Sequence, residues 1–408
     1  MNLVDLLDKI AGGENSRVEF KRDDLQPDRF AARMAALLNT AGGFILLGVE
    51  DDGSVSGLVR DPGDAEEWVM QAARDNLQPS VTPVWEVLEV EPGKIVGVVT
   101  LPENAPDKPY KAKQGSAWVT KVRVGTITQD ATREEEQRLY QQSGGLRYGL
   151  KPVLGSKLDD LDHRRLRDYF ARIREDASIP GRDSEEWLRL LCNLELATVQ
   201  SGQTMATIDG MLLFGVSASV GRFLPQSGLR AVCYPGHQPD YETSDEEDVK
   251  GPLVSLGASD GSLVETGVVD RAVDFVRRNT SVSSCLNGGR RVDRRDYPEA
   301  AVREVIVNSL LHRDYSIRGT DVMLSIFSDR LEVQSPGKLP NTVTVDAIRS
   351  GARYARNQTL VNIMRDYGYV EARGMGIRHK VIPSMADHNG TEPKFAEGEH
   401  CFTVSLLK

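Results

Sequence analysis

A helix-length segment that stops at two glycines and runs directly into an apolar stretch places the strongest constraint on the fold. In DRFAARMAALLNTAGG the apolar residues follow helical spacing, with Asp28 as the predicted N-cap and Gly42 and Gly43 as the stop signal. The next residues, FILLGV, form a continuous apolar run that indicates a buried strand. DDG then predicts a turn, and SVSGLV predicts a return strand. The first part of the chain is therefore expected to be an α/β unit.

Helix and strand patterns continue along the chain and divide it into three predicted regions. The 408 residues are too many for one ordinary hydrophobic core, which also favours several domains. We place the regions at residues 1–145, 156–295 and 298–408. The patterns predict an α/β structure for the first and last regions and a helical and mixed structure for the middle region. Within the middle region we expect strands at MLLFGV and LRAVCY and a loop at DYETSDEEDVKG. The predicted fold class is α/β, in the sense of an α+β multidomain protein.

Composition and the scattered cysteines exclude several classes of protein. The chain is 40% hydrophobic and 27% charged, and no apolar run has the length of a membrane span. MNLVDLLDKIAGG lacks the basic n-region of a signal peptide, and the four cysteines follow no disulfide or zinc pattern. We therefore expect a cytoplasmic protein with no membrane partner. The net charge of −10 argues against binding nucleic acid through bulk charge, so such binding must use a local patch.

Acidic residues surround the first predicted strand, in ENSRVEFKRD, and follow FILLGV. If residues 17–21 form a strand, Glu19 and Lys21 share one face, and a turn at residues 15–16 can bring Glu14 back toward them. Glu50, Asp51 and Asp52 come directly after FILLGV. Converging carboxylates repel one another unless a cation lies among them, so one interpretation is a Mg²⁺ or Mn²⁺ site. The other interpretation is a salt-bridged surface with acids that serve as turn formers.

Basic residues occur beside these acids and again in PDKPYKAKQGSAWVTKVRVG, where aromatic residues are interleaved with them. Such a strand face suits contact with a phosphate backbone and stacking of bases. The alternative is an exposed hairpin edge that lysines protect from pairing. The candidate nucleic-acid-binding residues are Lys21, Arg22, Lys111, Lys113, Lys121 and Arg123.

Three segments in order, ENSRVEFK, NTAGGFILLGVEDDGSVSGL and VTKVRVGTITQDATREE, resemble the Schlafen AlbA_2 domain over about the first third of the chain. The resemblance implies a mixed-sheet domain. In the nuclease members of the Schlafen family, three acids carry metal-dependent RNA cleavage, and Glu14, Glu19 and Asp51 stand at the matching positions. The resemblance thus implies that these residues are catalytic and bind Mn²⁺ or Mg²⁺, with structured RNA such as tRNA as substrate.

The same resemblance has two further implications. Many bacterial AlbA_2 proteins are described as regulators that bind nucleic acid, so the partner is RNA or DNA. Schlafen nuclease cores pair two such lobes into a groove, and one lobe is found in this sequence. We therefore expect a homo-oligomer.

A second resemblance covers residues 298–408. Glu304 and Asn308 are four residues apart on a predicted helix, and they are therefore neighbours on one face. EVIVNSLLHRDYSIRG, DRLEVQSPGKLP, RNQTLVNIM and EARGMGI resemble the GHKL-like ATPase module that is sometimes grouped with the C-terminus of RecG helicases. The resemblance implies an α/β sandwich that binds ATP. The residues implied to bind the nucleotide are Glu304, Asn308, Gly337, Gly374 and Gly376.

The nucleotide module departs from its family pattern at one point. SPGKLP replaces the D-x-G-x-G loop, whose aspartate reads the adenine amino group. This leaves open a degenerate module that serves dimerisation or partner binding.

The two resemblances lead to three functional hypotheses. The first is a metal-dependent endoribonuclease that acts on structured RNA and is regulated by nucleotide. The second is a non-catalytic, nucleic-acid-binding transcriptional regulator with an ATP-sensing domain. The third is an ATPase proper, which the missing adenine aspartate disfavours.

Overall fold

The computed structural model describes residues 1–103, 105, 107–143, 147–176, 178–258, 262–287, 290–339, 344–351, 355–371, 376–398 and 400–408. The chain forms two compact units, Met1–Leu146 and Arg147–Leu339 with Val343–Lys408. We call them unit 1 and unit 2. In the described residues, no helix combines the length and the apolar character needed to cross a lipid bilayer.

Unit 1 is built from two sheets and the helices around them. Its helices are α1 (Leu3–Ala11), α2 (Pro27–Asn39), α3 (Pro62–Asp75) and α4 (Arg133–Gln142). Its strands are β1 (Val18–Lys21), β2 (Gly43–Leu47), β3 (Leu77–Gln78), β4 (Val84–Glu91), β5 (Lys94–Leu101), β6 (Lys111–Gln114), β7 (Ala117–Val124) and β8 (Ile127–Asp130). One sheet has the order β1-β2-β5-β4 and the other has the order β3-β6-β7-β8.

The predicted helix and strand around the glycine pair are present as α2 and β2. The N-cap is Gln26 rather than Asp28, because Pro27 takes the first helical position and Asp28 lies in the first turn. Gly43 has a φ of 139°, and a Cβ at this position would overlap the carbonyl oxygen of Arg17. Only glycine therefore lets β2 start so close to the chain entering β1.

Strand β2 is one of the two inner strands of the β1-β2-β5-β4 sheet, and its side chains pack on both faces of that sheet. Ile45 and Leu47 pack into the core beneath α2, whereas Leu46 packs with Leu6 and Phe20 on the other face. This explains why FILLGV is apolar without alternation. The expected return strand SVSGLV is reduced to an isolated bridge, in which Val49 faces Val55.

Strands β1 and β2 are parallel, and their pairing determines where the acids lie. Val18 pairs with Phe44, and Lys21 pairs with Leu47. Because parallel strands end at the same edge of a sheet, the ends of β1 and β2 lie side by side. The residues after β2, including Asp51, therefore come close to Lys21.

Unit 2 contains the remaining elements. Its helices are α5 (His163–Asp168), α6 (Glu185–Asn193), α7 (Ile208–Phe214), α8 (Ser217–Phe223), α9 (Val268–Asn279), α10 (Glu299–Leu311), α11 (Val345–Ser350), α12 (Gln358–Asp366) and α13 (Ile382–Asn389), with π-helical segments at Tyr169–Ile173 and Ile377–Val381. Its strands are β9 (Ala197–Gln200), β10 (Gln203–Ala206), β11 (Leu229–Cys233), β12 (Asp245–Val249), β13 (Leu256–Gly257), β14 (Leu263–Glu265), β15 (Val282–Asn287), β16 (Arg290–Arg295), β17 (Val322–Ile326), β18 (Arg330–Pro336), β19 (Lys394–Glu397) and β20 (Cys401–Leu407).

A six-stranded mixed sheet with the order β12-β11-β17-β18-β20-β19 organises unit 2. Strand β11 pairs in parallel with β17, from Leu229 beside Val322 to Cys233 beside Ile326. One buried hydrophobic cluster extends from Val153 to Leu406. A division between 156–295 and 298–408 therefore cuts through one sheet and one core, and it does not separate two compact units. The α/β fold class itself is confirmed.

Two elements of the middle region differ from the sequence-based expectation. MLLFGV lies largely in helix α7 rather than in a strand, because Thr207 caps the helix and every residue of Ile208–Phe214 is buried. A continuously buried segment has no polar face, so its periodicity cannot distinguish a helix from a strand. DYETSDEEDVKG contains strand β12, which pairs with β11. Its acids Asp245 and Glu247 are ion-paired with Arg278 of α9.

Candidate functional site

The three acids predicted to be catalytic lie together in unit 1, and they surround the side chain of Lys21. The Nζ atom of Lys21 is 3.2 Å from Glu14 Oε1, 3.3 Å from Glu19 Oε1 and 3.3 Å from Asp51 Oδ1. Three carboxylates from separate parts of the chain thus converge on one point at the ends of β1 and β2. We call Glu14, Glu19, Asp51 and Lys21 the acid–lysine cluster.

A local turn folds Glu14 back onto β1. The Asn15 side chain accepts hydrogen bonds from the backbone N–H groups of Arg17 (2.8 Å) and Val18 (3.1 Å). The turn allows Glu14 Oε1 to accept a hydrogen bond from the backbone N–H of Phe20 at 2.8 Å. The predicted turn at residues 15–16 therefore places the first acid of the cluster.

Glu19 is the buried member of the cluster, with 2% of its surface exposed. One carboxylate oxygen accepts a hydrogen bond from Arg123 Nη1, and the other lies 3.3 Å from Arg33 Nε as well as beside Lys21. Arg123 is buried too, and it also donates to the backbone carbonyls of Asn15 and Val18. Arg123, predicted to contact a phosphate backbone, instead fixes Glu19.

The neighbouring carboxylates stabilise the positive charge of Lys21. Partial burial lowers the pKa of Lys21, but the negative charges of Glu19, Glu14 and Asp51 outweigh this effect and raise it above its ordinary value. Lys21 is therefore protonated at neutral pH. The cluster opens to solvent on one side, because the Asp51 side chain is 86% exposed while that of Glu19 is 3% exposed.

The cluster has the donor chemistry of a hard-cation site, but its centre holds an ammonium group. Carboxylate oxygens are the ligands that Mg²⁺ and Mn²⁺ prefer. In the part of the chain that the structure describes, no group of three or more His, Cys, Asp or Glu residues is arranged to hold a metal ion. The donor set thus fits a divalent ion on condition that the Lys21 ammonium is displaced from the carboxylates.

Most of the other predicted phosphate-binding residues are ion-paired within unit 1. The pairs are Arg22 with Asp24, Lys111 with Glu136 and Lys121 with Asp130. Lys113 on β6 is exposed. These ion pairs on β6 and β7 are the arrangement expected if the lysines protect an exposed hairpin edge from pairing, which was the alternative interpretation of this segment.

In unit 2, the structure brings together three of the residues predicted to bind nucleotide. Asn308 Nδ2 donates to Glu304 Oε1 at 3.0 Å on one face of α10. Gly376 lies against Glu304, and a Cβ at Gly376 would overlap its carboxylate. Gly337 instead packs against Asp314. Gly374 lies outside the described residues.

Glu304 is a mostly buried carboxyl group next to a π-helical segment, Ile377–Val381. Burial raises the pKa of Glu304, and this outweighs the opposite effects of the Asn308 hydrogen bond and of Lys380, whose Nζ lies 3.8 Å from Glu304 Oε2. A carboxyl group with a raised pKa and a fixed amide neighbour can act as a proton acceptor.

Sequence reasoning missed two residues that shape these clusters, Arg33 and Lys380. The shared strand face of Glu19 and Lys21 is predicted from the sequence, and the structure places Lys21 among the acids. Arg33 on α2 and Lys380 had no comparable signal, because both reach their carboxylates from distant parts of the chain.

Comparison with protein families agrees with both resemblances. Residues 14–132 match the family model Schlafen, AlbA_2. The N-terminal part of the chain is therefore similar to the Schlafen AlbA_2 domain. The match begins at Glu14 and includes the whole acid–lysine cluster together with Arg33 and Arg123.

The C-terminal part matches a second family. Residues 319–406 match the model described as "Putative ATP-dependent DNA helicase recG C-terminal". The match contains β17 to β20, Gly337 and Gly376, and it confirms the GHKL-like character of this part. Glu304 and Asn308 on α10 precede the matched residues.

The solved structures that are similar to the chain include the following two. The crystal structure of the DIP2311 protein from Corynebacterium diphtheriae is 19% identical, with a TM-score of 0.46, and the match covers 99% of this chain and 80% of that one. The solution structure of the N-terminal domain of a RecG-related protein from Nitrosomonas europaea is 25% identical, with a TM-score of 0.26, and the match covers 33% of this chain and 93% of that one. No curated protein matches this chain.

Proposed function

We propose that this protein acts on nucleic acid as a Schlafen-like, metal-dependent endoribonuclease, with structured RNA such as tRNA as substrate. The observation that carries the proposal is the convergence of Glu14, Glu19 and Asp51, within 3.3 Å of one point inside a domain of the AlbA_2 family. Glu14 and Glu19 meet through the local turn at residues 15–16, and the pairing of β1 with β2 brings Asp51, from a separate segment, to the same point.

The proposal gives each residue of the cluster a role. Mn²⁺ or Mg²⁺ held by Glu14, Glu19 and Asp51 would stabilise the charge of the phosphodiester transition state and orient a water molecule. Arg123 positions Glu19 through the hydrogen bond between its guanidinium group and the buried carboxylate. Asp51 is the acid most accessible to a phosphodiester from solvent. Lys21 compensates the three negative charges and so holds the acids together.

Cleavage of a labelled tRNA pool tests the proposal, with Mn²⁺, Mg²⁺ or EDTA added to the wild type and to the Asp51→Ala and Asp52→Ala variants. Asp52 is the matched control because its carboxylate bonds to Ser54 and lies outside the acid–lysine cluster. We expect metal-dependent cutting in the wild type and in Asp52→Ala. Asp51→Ala should lose cleavage and keep RNA binding.

Two results would count against the nuclease. One is intact RNA under every metal condition. The other is a parallel loss of binding and cleavage in Asp51→Ala, since this would make Asp51 a binding or structural residue.

The alternative function is a non-catalytic, nucleic-acid-binding transcriptional regulator with an ATP-sensing domain. It is favoured by the compensation of Glu19 by Lys21, Arg33 and Arg123, which leaves no need for a metal ion. This function predicts salt-dependent binding without cleavage, and ATP should change the affinity. Glu304→Ala or Asn308→Ala should remove the effect of ATP, because these residues form the cluster beside Gly376.

We also propose that the protein acts in the cytoplasm as a homo-oligomer, because a single AlbA_2 lobe forms only half of the groove of a Schlafen nuclease core. Light scattering of the purified protein tests the oligomeric state.

A further inference from the structure

Helix α2 lies over the face of the sheet that carries the acid–lysine cluster. Glu19 pairs with Ile45 in the register of β1 and β2, and Ile45 packs into the core beneath α2 with Phe30 and Met34. Because paired residues of neighbouring strands point to the same face of a sheet, Glu19 also points towards α2. Side chains on the flank of α2 are therefore neighbours of the cluster.

Two arginines of α2 occupy this flank. Arg29 and Arg33 are four residues apart, so they lie one above the other on the helix. Arg33 Nε is 3.3 Å from Glu19 Oε1, whereas Arg29 is exposed one turn nearer the start of α2. The α2 arginine pair, as we call these two residues, thus forms a row that begins at the buried acid of the cluster and leads to the surface.

The guanidinium group of Arg33 keeps its hydrogen-bonding capacity. Its contact with Glu19 is an ion pair, and Nε is a buried atom without a hydrogen-bond partner. An arginine has five N–H donors, and buried donors in native proteins almost always have an acceptor. Because 34% of the Arg33 side chain is exposed, an acceptor from solution can reach this group.

Arg29 carries a positive charge that no acid of the described residues neutralises through an ion pair. Its closest acid in sequence, Asp28, accepts a hydrogen bond from the backbone N–H of Arg29 at 2.8 Å. That bond occupies the carboxylate at the backbone and leaves the guanidinium group of Arg29 in solvent.

Charge balance decides whether a phosphate can approach the cluster at all. Three carboxylates alone would repel a phosphodiester. The cations Lys21, Arg33 and Arg123 lie among these acids and equal them in number. A further cation beside a balanced cluster makes that side of it attractive to an anion, and the α2 arginine pair supplies this cation in Arg29.

The basic residues predicted from the sequence to hold phosphate are less suitable. Arg22, Lys111 and Lys121 are in ion pairs, and Arg123 is buried against Glu19. An arginine without a hydrogen-bonded acid offers a planar fork of donors that matches two oxygens of a phosphate group. The α2 arginine pair has this property and lies beside the acids.

We propose that Arg29 and Arg33 bind the sugar–phosphate backbone of a nucleic acid beside the acid–lysine cluster. Arg33 contacts the phosphate group nearest the acids, and Arg29 contacts a neighbouring phosphate of the same strand. Both are positioning residues. The inference rests on the proposed action on nucleic acid and adds the residues that place the strand.

Salt-dependent binding of a fluorescent tRNA hairpin to the full chain in EDTA tests the proposal. The test variants are Arg29→Gln, Arg33→Gln and the double variant. The control is Arg74→Gln/Arg133→Gln, which removes the same charge as the double variant from exposed positions elsewhere in unit 1. Melting curves identify any variant that fails to fold, and Arg29→Gln keeps the proposal testable because it breaks no ion pair among the described residues.

We expect the slope of log K against log salt to become shallower by ~0.7–0.9 for each phosphate contact that is removed. The double variant should therefore lose about twice as much slope as Arg29→Gln, and the control should match the wild type. An unchanged slope in Arg29→Gln and in the double variant, or an equal loss in the control, would overturn the proposal.

Arg33→Lys separates phosphate binding from a purely structural role of Arg33. Lysine keeps the charge and loses the fork, so we expect the slope of the wild type with an affinity that is several-fold weaker. If Arg33 only stabilises Glu19, Arg33→Gln should lower the melting temperature and leave the slope unchanged, which would refute its contact with phosphate.

Cleavage in Mn²⁺ distinguishes failure of this inference from failure of the nuclease. We expect Arg29→Gln to raise KM and keep kcat, because a contact to a distant phosphate is the same in the ground state and the transition state. Absence of cleavage in the wild type overturns the nuclease, and the binding slopes still decide the role of the pair. Cleavage by the wild type together with unaltered slope and KM in Arg29→Gln and the double variant overturns the role of the pair alone.

Discussion

At the scale of single residues, the Lys21 ammonium lies among three acids of unit 1 and compensates their negative charge. Glu19 has two further cationic neighbours, Arg33 and Arg123, so three cations surround its buried carboxylate. Glu14 and Asp51 share Lys21 as the cation of the cluster. Removing the ammonium would therefore leave two carboxylates near each other and raise the free energy of the folded state.

We predict that Mn²⁺ raises the melting temperature of Lys21→Met more than that of the wild type, because the ion no longer competes with the ammonium. A difference of about 1 kcal/mol corresponds to roughly 2–4 °C in a protein of this kind. Thermal unfolding with and without Mn²⁺ measures it. Arg22→Met is the matched control, since Arg22 pairs with Asp24 outside the cluster. Equal shifts in the wild type and Lys21→Met would show that no ion enters the cluster.

A second residue-scale feature is Asp209 in the core of unit 2. The side chain is 2% exposed, and its Oδ1 has no hydrogen-bond partner. Burial raises the pKa of Asp209 to about 7; the nearby charge of Arg147 acts in the opposite direction, and that of Glu195 adds to the increase. The folded protein therefore keeps this proton over a pH range in which an unfolded aspartate has lost it.

We predict that the protein becomes less stable as pH rises from about 4 to about 7, because Asp209 keeps its proton in the folded state and loses it in the unfolded state. The folded state binds more protons than the unfolded state in this window, so the free energy of unfolding falls, by roughly 4 kcal/mol at most. Asp209→Asn should abolish this part of the pH dependence and be more stable than the wild type at pH 8. Urea unfolding at several pH values measures the effect, with the exposed Asp159→Asn as control. Parallel curves for wild type and Asp209→Asn would contradict the prediction.

At the scale of elements, Arg123 links strand β7 of one sheet to strand β1 of the other. Its guanidinium group bonds to Glu19 and to the carbonyls of Asn15 and Val18, and none of its side chain is exposed. The strand that bears Glu19 is therefore fixed from the second sheet. Removing one partner of a buried ion pair is costly because the other charge is left behind.

We predict that Arg123→Met lowers the free energy of unfolding of unit 1 by about 3 kcal/mol. The value lies at the lower end of the usual range because Lys21 and Arg33 remain beside Glu19. Chemical denaturation measures the change, and Lys113→Met on the exposed face of β6 should have little effect. Adding Glu19→Gln to Arg123→Met should recover part of the loss. A cost near zero would mean that Arg123 does not position Glu19.

The elements also show what could be predicted from the sequence. The glycine stop, the uniform apolar run and the alternation in VEFK specify α2, β2 and β1 from neighbouring residues alone, and they place Glu19 beside Lys21. Strand β12 could not be predicted in this way. Its acids are stabilised by Arg271 and Arg278 of α9, which are more than twenty residues away in sequence. Side-chain partners supplied from distant segments, such as Arg33 for Glu19, leave no periodic signal.

At the scale of the whole molecule, the sheet of unit 2 joins residues that the sequence divides at 295–298. Strand β17 pairs with β18 on one side and with β11 on the other. Helix α10 packs into the same hydrophobic cluster as Val268, Val269 and Phe275 of α9. A fragment that starts at residue 298 would therefore expose the edge of β17 and the apolar face of α10 to water.

We predict that residues 1–146 and residues 147–408 each fold when expressed alone, whereas residues 298–408 do not. The hydrophobic clusters of residues 1–146 and 147–408 are separate, but a fragment 298–408 retains only part of its cluster and gains an unpaired strand edge. Cooperative thermal unfolding by circular dichroism should be seen for the first two fragments. The third should aggregate or melt without cooperativity. A cooperative transition for 298–408 would show that the C-terminal family match is a domain in its own right and that β11 merely extends its sheet.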